Sequence, residues 1–302
     1  MKSRFAALFA VAAMTLSLAG ILAVAQKEKT HDKMPAADRK EFYGWAKPVE
    51  PYRIIGNVYY VGANELTSFL IVSDAGHILI DTGMEGMASQ IARNVETLGF
   101  HVADIKILLN TQAHIDHAAG LAALKSMSGA KLLISEGDAP VIESGGAKDF
   151  LWPERFRWAP AKVDGFIKDG QEIKLGGTTL TAHLTPGHTK GCTTYSMAVT
   201  EGGKEYAIVF LGSTTRVGAK LVGNKQYPGI AKDYAETFAK LRGLRCDVFL
   251  ASHASFYHGP EKAAQLQKSR DPNPFVDPHE FKRFLDAQEK GFKEELAKEK
   301  GE

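Results

Sequence analysis

Ile105-Lys-Ile-Leu-Leu109-Asn-Thr-Gln112-Ala-His114-Ile-Asp116-His117-Ala-Ala-Gly120 is the stretch on which the reading of this chain turns. A short apolar run rich in Ile and Leu stops at a knot of side chains with lone pairs, and small residues then open a helix. That order predicts a buried strand presenting ligands at its C-terminal end. His114, Asp116 and His117 fall within four positions, and three such groups cannot all face a core unpaired without a large desolvation cost. A divalent metal takes neutral imidazole and ionised carboxylate together, and so satisfies all three. Taken alone, the stretch also admits a blander reading, a polar loop with two incidental histidines.

The flanking sequence supports the metal. Upstream, Arg53–Ile55 and Val58–Val61 on either side of Gly56-Asn57 read as a hairpin, and 67–72 and 77–80 as a second apolar pair. The latter runs into Asp81-Thr82-Gly83. Asp81 at that strand end is either a ligand or, the favoured reading, a turn residue binding backbone N–H groups. Met87, Ile91, Val95 and Leu98 recur at helical spacing, and a second helix is expected over 118–127 before a strand at 131–134. Between 144 and 170 the pattern dissolves into Gly145-Gly146, Trp152, Pro153, Phe156 and Trp158, which reads either as a lid over a ligand or as an aromatic cluster under a loop. Strands return at 171–175, 178–183, 193–199 and 206–211, and Asp247–Ala251 is a further short buried strand. Helical spacing marks Ile230 to Leu244 and a final helix around Phe281 to Leu296. The strand at 178–183 leads to Pro186-Gly187-His188-Thr189, and the one at 247–251 to His253. Three separate strand ends thus deliver histidine: His114 with His117, then His188, then His253. That recurrence raises the metal reading well above what any single residue supports. His183 lies within a strand and is read as structural.

The N-terminus is read separately. Lys2 and Arg4 precede an apolar run from Phe5 to about Leu22, and Ala23-Val24-Ala25 supplies small residues before a charged segment. This predicts a secretory signal peptide over 1–25 with cleavage before Gln26, in preference to an uncleaved anchor. Residues 26–50, with Pro35 and Pro48, are expected to form a surface lead-in to a single domain over 51–302. Losing Lys2 and Arg4 takes the formal charge from +2 to zero, so nothing draws the mature chain to nucleic acid or to anionic membranes. Its expected location is the periplasm or the medium, without stable membrane association. Only two cysteines are present, Cys192 and Cys246. Both are read as buried and reduced, although a secreted chain permits a disulfide.

In order along the chain, the strand into Asp81-Thr-Gly83, the Gln112-x-His114-x-Asp116-His117 loop, Pro186-Gly187-His188-Thr189 and Ala251-Ser-His253 resemble the metallo-β-lactamase superfamily. The likeness spans about residues 50–290. The family's metal motif is His-x-His-x-Asp-His, matched here except that Gln112 stands at the first histidine. Gly187-His-Thr-Lys-Gly-Cys192-Thr-Thr, Lys220-Leu-Val-x-Asn224 with Tyr227-Pro228, Cys246-Asp-Val-Phe-Leu-Ala-Ser-His253 and Asn273-Pro-Phe-Val-Asp-Pro278 are similar to class B, subclass 3, including members with glutamine at that position. Some members pair the equivalent of Cys246 with a later cysteine, and none follows it here.

The resemblance implies an α/β fold, a four-layer αββα sandwich, with up to two zinc ions. It assigns Gln112, His114 and His188 to one zinc and Asp116, His117 and His253 to the other. Hydrolases such as glyoxalase II and lactonases carry a bridging Asp in a Gly-Asp pair where this chain reads Gly212-Ser213. The implied activity is therefore opening of a small-molecule β-lactam by zinc-activated hydroxide, with Asp116 orienting the nucleophile or relaying its proton. Ser213 and Thr215 are the candidates to hold the substrate carboxylate. An amide oxygen suits zinc less well than imidazole nitrogen, so the Gln112 site is expected to be the weaker. Two alternatives remain: a zinc hydrolase of another ester, thioester or lactone on the same fold, and a catalytically silent exported metal-binding protein.

Overall fold

Strands β1 (Tyr52–Ile55), β2 (Val58–Tyr60), β3 (Phe69–Ser73), β4 (Gly76–Ile80), β5 (Ile105–Leu109), β6 (Lys131–Ser135) and β7 (Gly165–Ile167) form one sheet in sequence order. It is antiparallel from β1 to β4 and parallel from β4 to β7. β8 (Glu172–Leu175), β9 (Thr178–Leu184), β10 (Thr193–Glu201), β11 (Lys204–Leu211) and β12 (Val248–Ala251) form a second sheet in the order β12-β11-β10-β9-β8, parallel only between β11 and β12. The computed structural model describes residues 36–153, 155–269 and 272–302. The expected signal peptide lies outside them.

Side-chain alternation places the layers. Phe69, Ile71, Ile78, Ile80 and Leu109 join Tyr195, Met197, Val199 and Phe210 in the core between the sheets. Rings of Phe69 and Phe210 meet across it at 5.2 Å. The intervening Leu70, Leu79 and Leu108 face outward, and helices Met87–Thr97 and Leu121–Ser128 cover them with Ile91, Val95, Leu121 and Leu124. On the other side, helices Ile230–Arg242 and Glu280–Lys300 close the second sheet. Phe249 of β12 packs 5.1 Å from both Phe281 and Phe284, and Tyr234 and Phe238 pack against Phe292. This is the expected αββα sandwich. Strands buried on both faces read as continuous apolar runs, as Ile78–Ile80 of β4 and the whole of β12 do.

The structure departs from expectation in several places, a short helix at Ala139–Glu143 among them. The helix expected over 118–127 is two pieces, Ile115–Ala118 and Leu121–Ser128. A Cβ on Gly120 would sit 2.4 Å from the Thr82 carbonyl oxygen, so the break is where the Asp81–Gly83 turn packs against the metal loop. The lead-in holds a helix, Ala36–Trp45, whose Phe42 and Trp45 pack on the outer core. The irregular 144–170 segment contains β7. Helix Gly259–Lys268 was not foreseen. Cys192 and Cys246 are buried and free. No helix among the described residues is long and apolar enough to cross a membrane.

Candidate metal centre

Strand pairing brings the ligand-bearing ends together. Ile80 lies beside Leu109, and Leu211 beside Ala251, so the segments carrying Asp81, Gln112–His117, Ser213 and His253 leave the sheets at matching levels. β9 delivers His188 to the same rim. Two bonds join the metal loop to the second sheet: Thr193 N donates to Thr111 O at 2.7 Å, and Tyr195 Oη to Asn110 O at 3.0 Å. Gln112, His114, His117 and His188 are at most 4% exposed.

The six residues named from sequence converge as two sets of three. His114 Nδ1 lies 3.0 Å from His188 Nε2, which lies 2.8 Å from Gln112 Oε1. In the second set, His117 Nε2 is 3.2 Å from His253 Nε2 and 3.2 Å from Asp116 Oδ2, with His253 Nε2 at 3.5 Å from that same oxygen. Tetrahedral zinc with bonds of about 2.0–2.1 Å spaces its donors about 3.3 Å apart. The Asp116, His117 and His253 set matches that spacing; in the other, His114 Nδ1 and Gln112 Oε1 gather at 3.0 and 2.8 Å around His188 Nε2. Asp116, His117 and His253 form a compact candidate metal site in their own right.

On His188 and His253 the ring nitrogen facing away from the cluster has an oxygen close enough to fix the tautomer of a ligating histidine, whereas on His114 and His117 the nearest carboxylates stand farther off. His188 Nδ1 lies 2.7 Å from Thr215 O. His253 Nδ1 lies 3.2 Å from Glu65, His114 Nε2 3.5 Å from Asp149 and His117 Nδ1 3.7 Å from Asp81. Burial pushes the His114 pKa down to about 4. Burial, with His114 as neighbour, holds His188 well below the usual imidazole range. Both rings are therefore neutral at pH 7, as zinc requires. Burial also opposes charge on His253, but its hydrogen bonds with Asp116 and Glu65 outweigh this and push its pKa up to about 9. For Asp116, burial is overcome by His117 and His253, and the carboxyl stays ionised well below its ordinary range.

Two buried carboxylates brace the loops. Asp81 accepts from Thr111 N at 2.7 Å, Thr111 Oγ1 at 2.6 Å and Asn110 Nδ2 at 2.8 Å, the supporting role favoured from sequence. Asp138 accepts from Ala113 N, Thr189 Oγ1 and Gly191 N, tying the Gln112–His117 loop to the His188 loop. Burial raises its pKa to about 6 against these bonds. Ser213 is buried and bonds Thr215 Oγ1 at 3.0 Å, while half-exposed Thr215 presents Oγ1 3.2 Å from His188 Nδ1. Both therefore stand on the His188 side.

Sequence reasoning missed Glu65, Asp138, Asp149 and Trp45, and took Trp152 only as one of the aromatics of the 144–170 segment. Their partners lie far off in the chain, and only Asp138, shortly after the end of β6, carried a strand-end signal. Trp45 meets the His253 ring edge-on at 5.5 Å, and Trp152 lies 5.0 Å from His114. Phe156 and Trp158 are buried in the outer core, so the 144–170 aromatics are largely a packed cluster with Trp152 at the rim.

Comparison with known proteins agrees with this geometry. Residues 62–253 match the metallo-beta-lactamase superfamily. The structure is similar to the native FEZ-1 metallo-beta-lactamase from Legionella gormanii, with 43% identity and a TM-score of 0.82, over 84% of this chain and 98% of that one. It is similar also to BJP-1, a subclass B3 metallo-beta-lactamase of Bradyrhizobium japonicum, with 40% identity and a TM-score of 0.80, over 85% and 97% of the two chains. Among curated proteins, a probable metallo-hydrolase of Burkholderia pseudomallei is 32% identical over 131 residues, and the match spans 42% of each chain, well under half of that relative.

Proposed function

The chain belongs to the metallo-β-lactamase superfamily, and on that premise we propose that it is a zinc-dependent β-lactamase of the subclass B3 kind. The observation carrying this reading is the Asp116, His117 and His253 set, spaced for a tetrahedral ion, with His114 and Gln112 gathered around His188 on the same rim. The neutral Ser213, where other branches place a bridging carboxylate, supports a β-lactam over a lactone or thioester.

In this reading Gln112, His114 and His188 hold one zinc, and Asp116, His117 and His253 the other. Zinc there supplies Lewis acidity and ionises water near neutral pH. Asp116 Oδ2 is committed to His117 and His253, and no hydrogen bond to its other oxygen is formed among the described residues. That oxygen orients the attacking water and relays its proton toward the departing lactam nitrogen. Thr215, with Ser213 behind it, holds the substrate carboxylate. Trp45 and Trp152 flank the two sets and limit solvent access.

The test is hydrolysis of a penicillin, a cephalosporin and a carbapenem by purified protein, beside a lactone and a thioester. We expect β-lactam turnover that a chelator abolishes and added zinc restores. Turnover of the lactone or thioester alone would transfer the protein to another hydrolase branch, and absence of any activity would leave a silent metal-binding protein.

Zinc titration against a chromogenic chelator should resolve two unequal sites, the weaker containing Gln112. Gln112→His should tighten that site about tenfold, roughly 1.4 kcal/mol. Two equal sites in the unaltered protein would refute the inequality.

A further inference from the structure

Four imidazoles supply nitrogen to the two donor sets, and His253 is the least enclosed of them, with its side chain 15% exposed. It follows a four-residue strand, and Trp45 and Phe256 lie beside its ring. Yet its Nε2 must point at Asp116 and His117 for the second set to close.

Glu65 sits behind it. Glu65 Oε1 lies 3.2 Å from His253 Nδ1, the shortest carboxylate approach to the outer nitrogen of any of the four rings. Glu65 is itself held from several sides. Ser255 Oγ donates to the same carboxylate, and Ala254 N donates to Glu65 O at 2.8 Å. Leu66 pairs with His253 as an isolated antiparallel bridge. The loop between β2 and β3 that carries Glu65 is fastened in turn to the N-terminal segment: Asn64 N donates to Lys47 O at 2.8 Å and Glu65 N to Trp45 O at 3.0 Å. Trp45 meets the imidazole edge-on and Phe256 lies 5.2 Å from it.

We propose that Glu65 is a positioning residue for His253, locking the ring with its Nδ1 proton toward the carboxylate and Nε2 toward the metal, and so strengthening the second zinc site. The proposal rests on the two-zinc reading above. A carboxylate behind a ligating imidazole selects the tautomer, fixes the ring plane and makes the metal-facing nitrogen a better donor. Segment 45–48 acts through Glu65, which makes the lead-in part of the metal site's support.

The test compares zinc binding by the unaltered protein, Glu65→Gln and Glu65→Asp, using chelator competition, with thermal unfolding of each metal-free protein alongside. Glu65→Gln keeps the size but removes the charge, and the second site should weaken about 10- to 100-fold. Glu65→Asp restores the charge and should recover part of that loss. In the zinc-loaded protein the His253 ring-nitrogen NMR signals should shift as its Nδ1–H exchanges a carboxylate partner for an amide in the Gln variant, which a merely structural role for Glu65 would leave unchanged. Equal zinc affinity in the unaltered and Gln proteins overturns the proposal while leaving the zinc reading intact. So does an equal loss in Gln and Asp variants accompanied by the same fall in melting temperature. Absence of zinc binding by the unaltered protein overturns both.

Discussion

Asp116→Ala is expected to lower β-lactam turnover by about 10³-fold or more, the scale set by loss of a well-placed proton-transfer group. The variant loses the one charged ligand of the second donor set and the oxygen assigned to the attacking water. Two histidine nitrogens then remain, 3.2 Å apart, with no anion between them to offset the ion's charge. Zinc content of that site should fall with activity. Asp116→Asn separates the two contributions. It keeps an oxygen donor of the same reach, so some zinc remains, but an amide does not accept the proton. Its activity should stay near that of the alanine variant even when zinc is supplied in excess. Measuring kcat/KM and bound zinc together on both variants decides the matter, and near-normal turnover in Asp116→Ala would remove Asp116 from the mechanism.

The donors were legible because each follows a strand whose apolar run or in-out alternation is hard to misread. Ile105–Leu109, Thr178–Leu184 and Val248–Ala251 are buried on one or both faces, so burial alone demanded their pattern, and the histidines just past their ends stand out against it. What supports the donors was much less legible. Asp138 and Glu65 look in sequence like ordinary loop acids, because what distinguishes them is a partner 51 or 190 residues away. The same holds for Trp45, whose helix has too little apolar periodicity to announce itself and gains its place from two aromatic contacts, Phe42 with Phe156 and Trp45 with His253. β7 escaped notice because its three residues follow a stretch dominated by Gly, Pro and Trp, and it is a strand only because β6 offers a parallel edge. Asp81 is the instructive exception. Its Asp-Thr-Gly context marks a turn, and a turn Asp satisfying backbone donors is what the structure contains.

Asp81→Ala is expected to cost about 4 kcal/mol of stability in the metal-free protein, from two or three buried donors left without an acceptor at about 1–3 kcal/mol each. Those donors are Thr111 N, Thr111 Oγ1 and Asn110 Nδ2, and all belong to the segment that leads into Gln112 and His114. Asp81 also adopts φ 60, a region where a residue without a short polar side chain is strained by about 1–2 kcal/mol. Release of a buried carboxylate, whose pKa burial raises, works in the opposite direction and offsets part of the sum. Asp81→Asn retains one oxygen acceptor and a side chain suited to positive φ, so it should lose less than half as much. Denaturant unfolding of chelator-treated proteins at pH 7 gives the comparison directly. The metal readout should follow the same order, because the Asp81 bonds hold Asn110 and Thr111, the residues that lead into Gln112 and His114. A denaturation midpoint for Asp81→Ala equal to that of the unaltered protein, with zinc affinity unchanged, would show that the metal loop holds its shape without the brace.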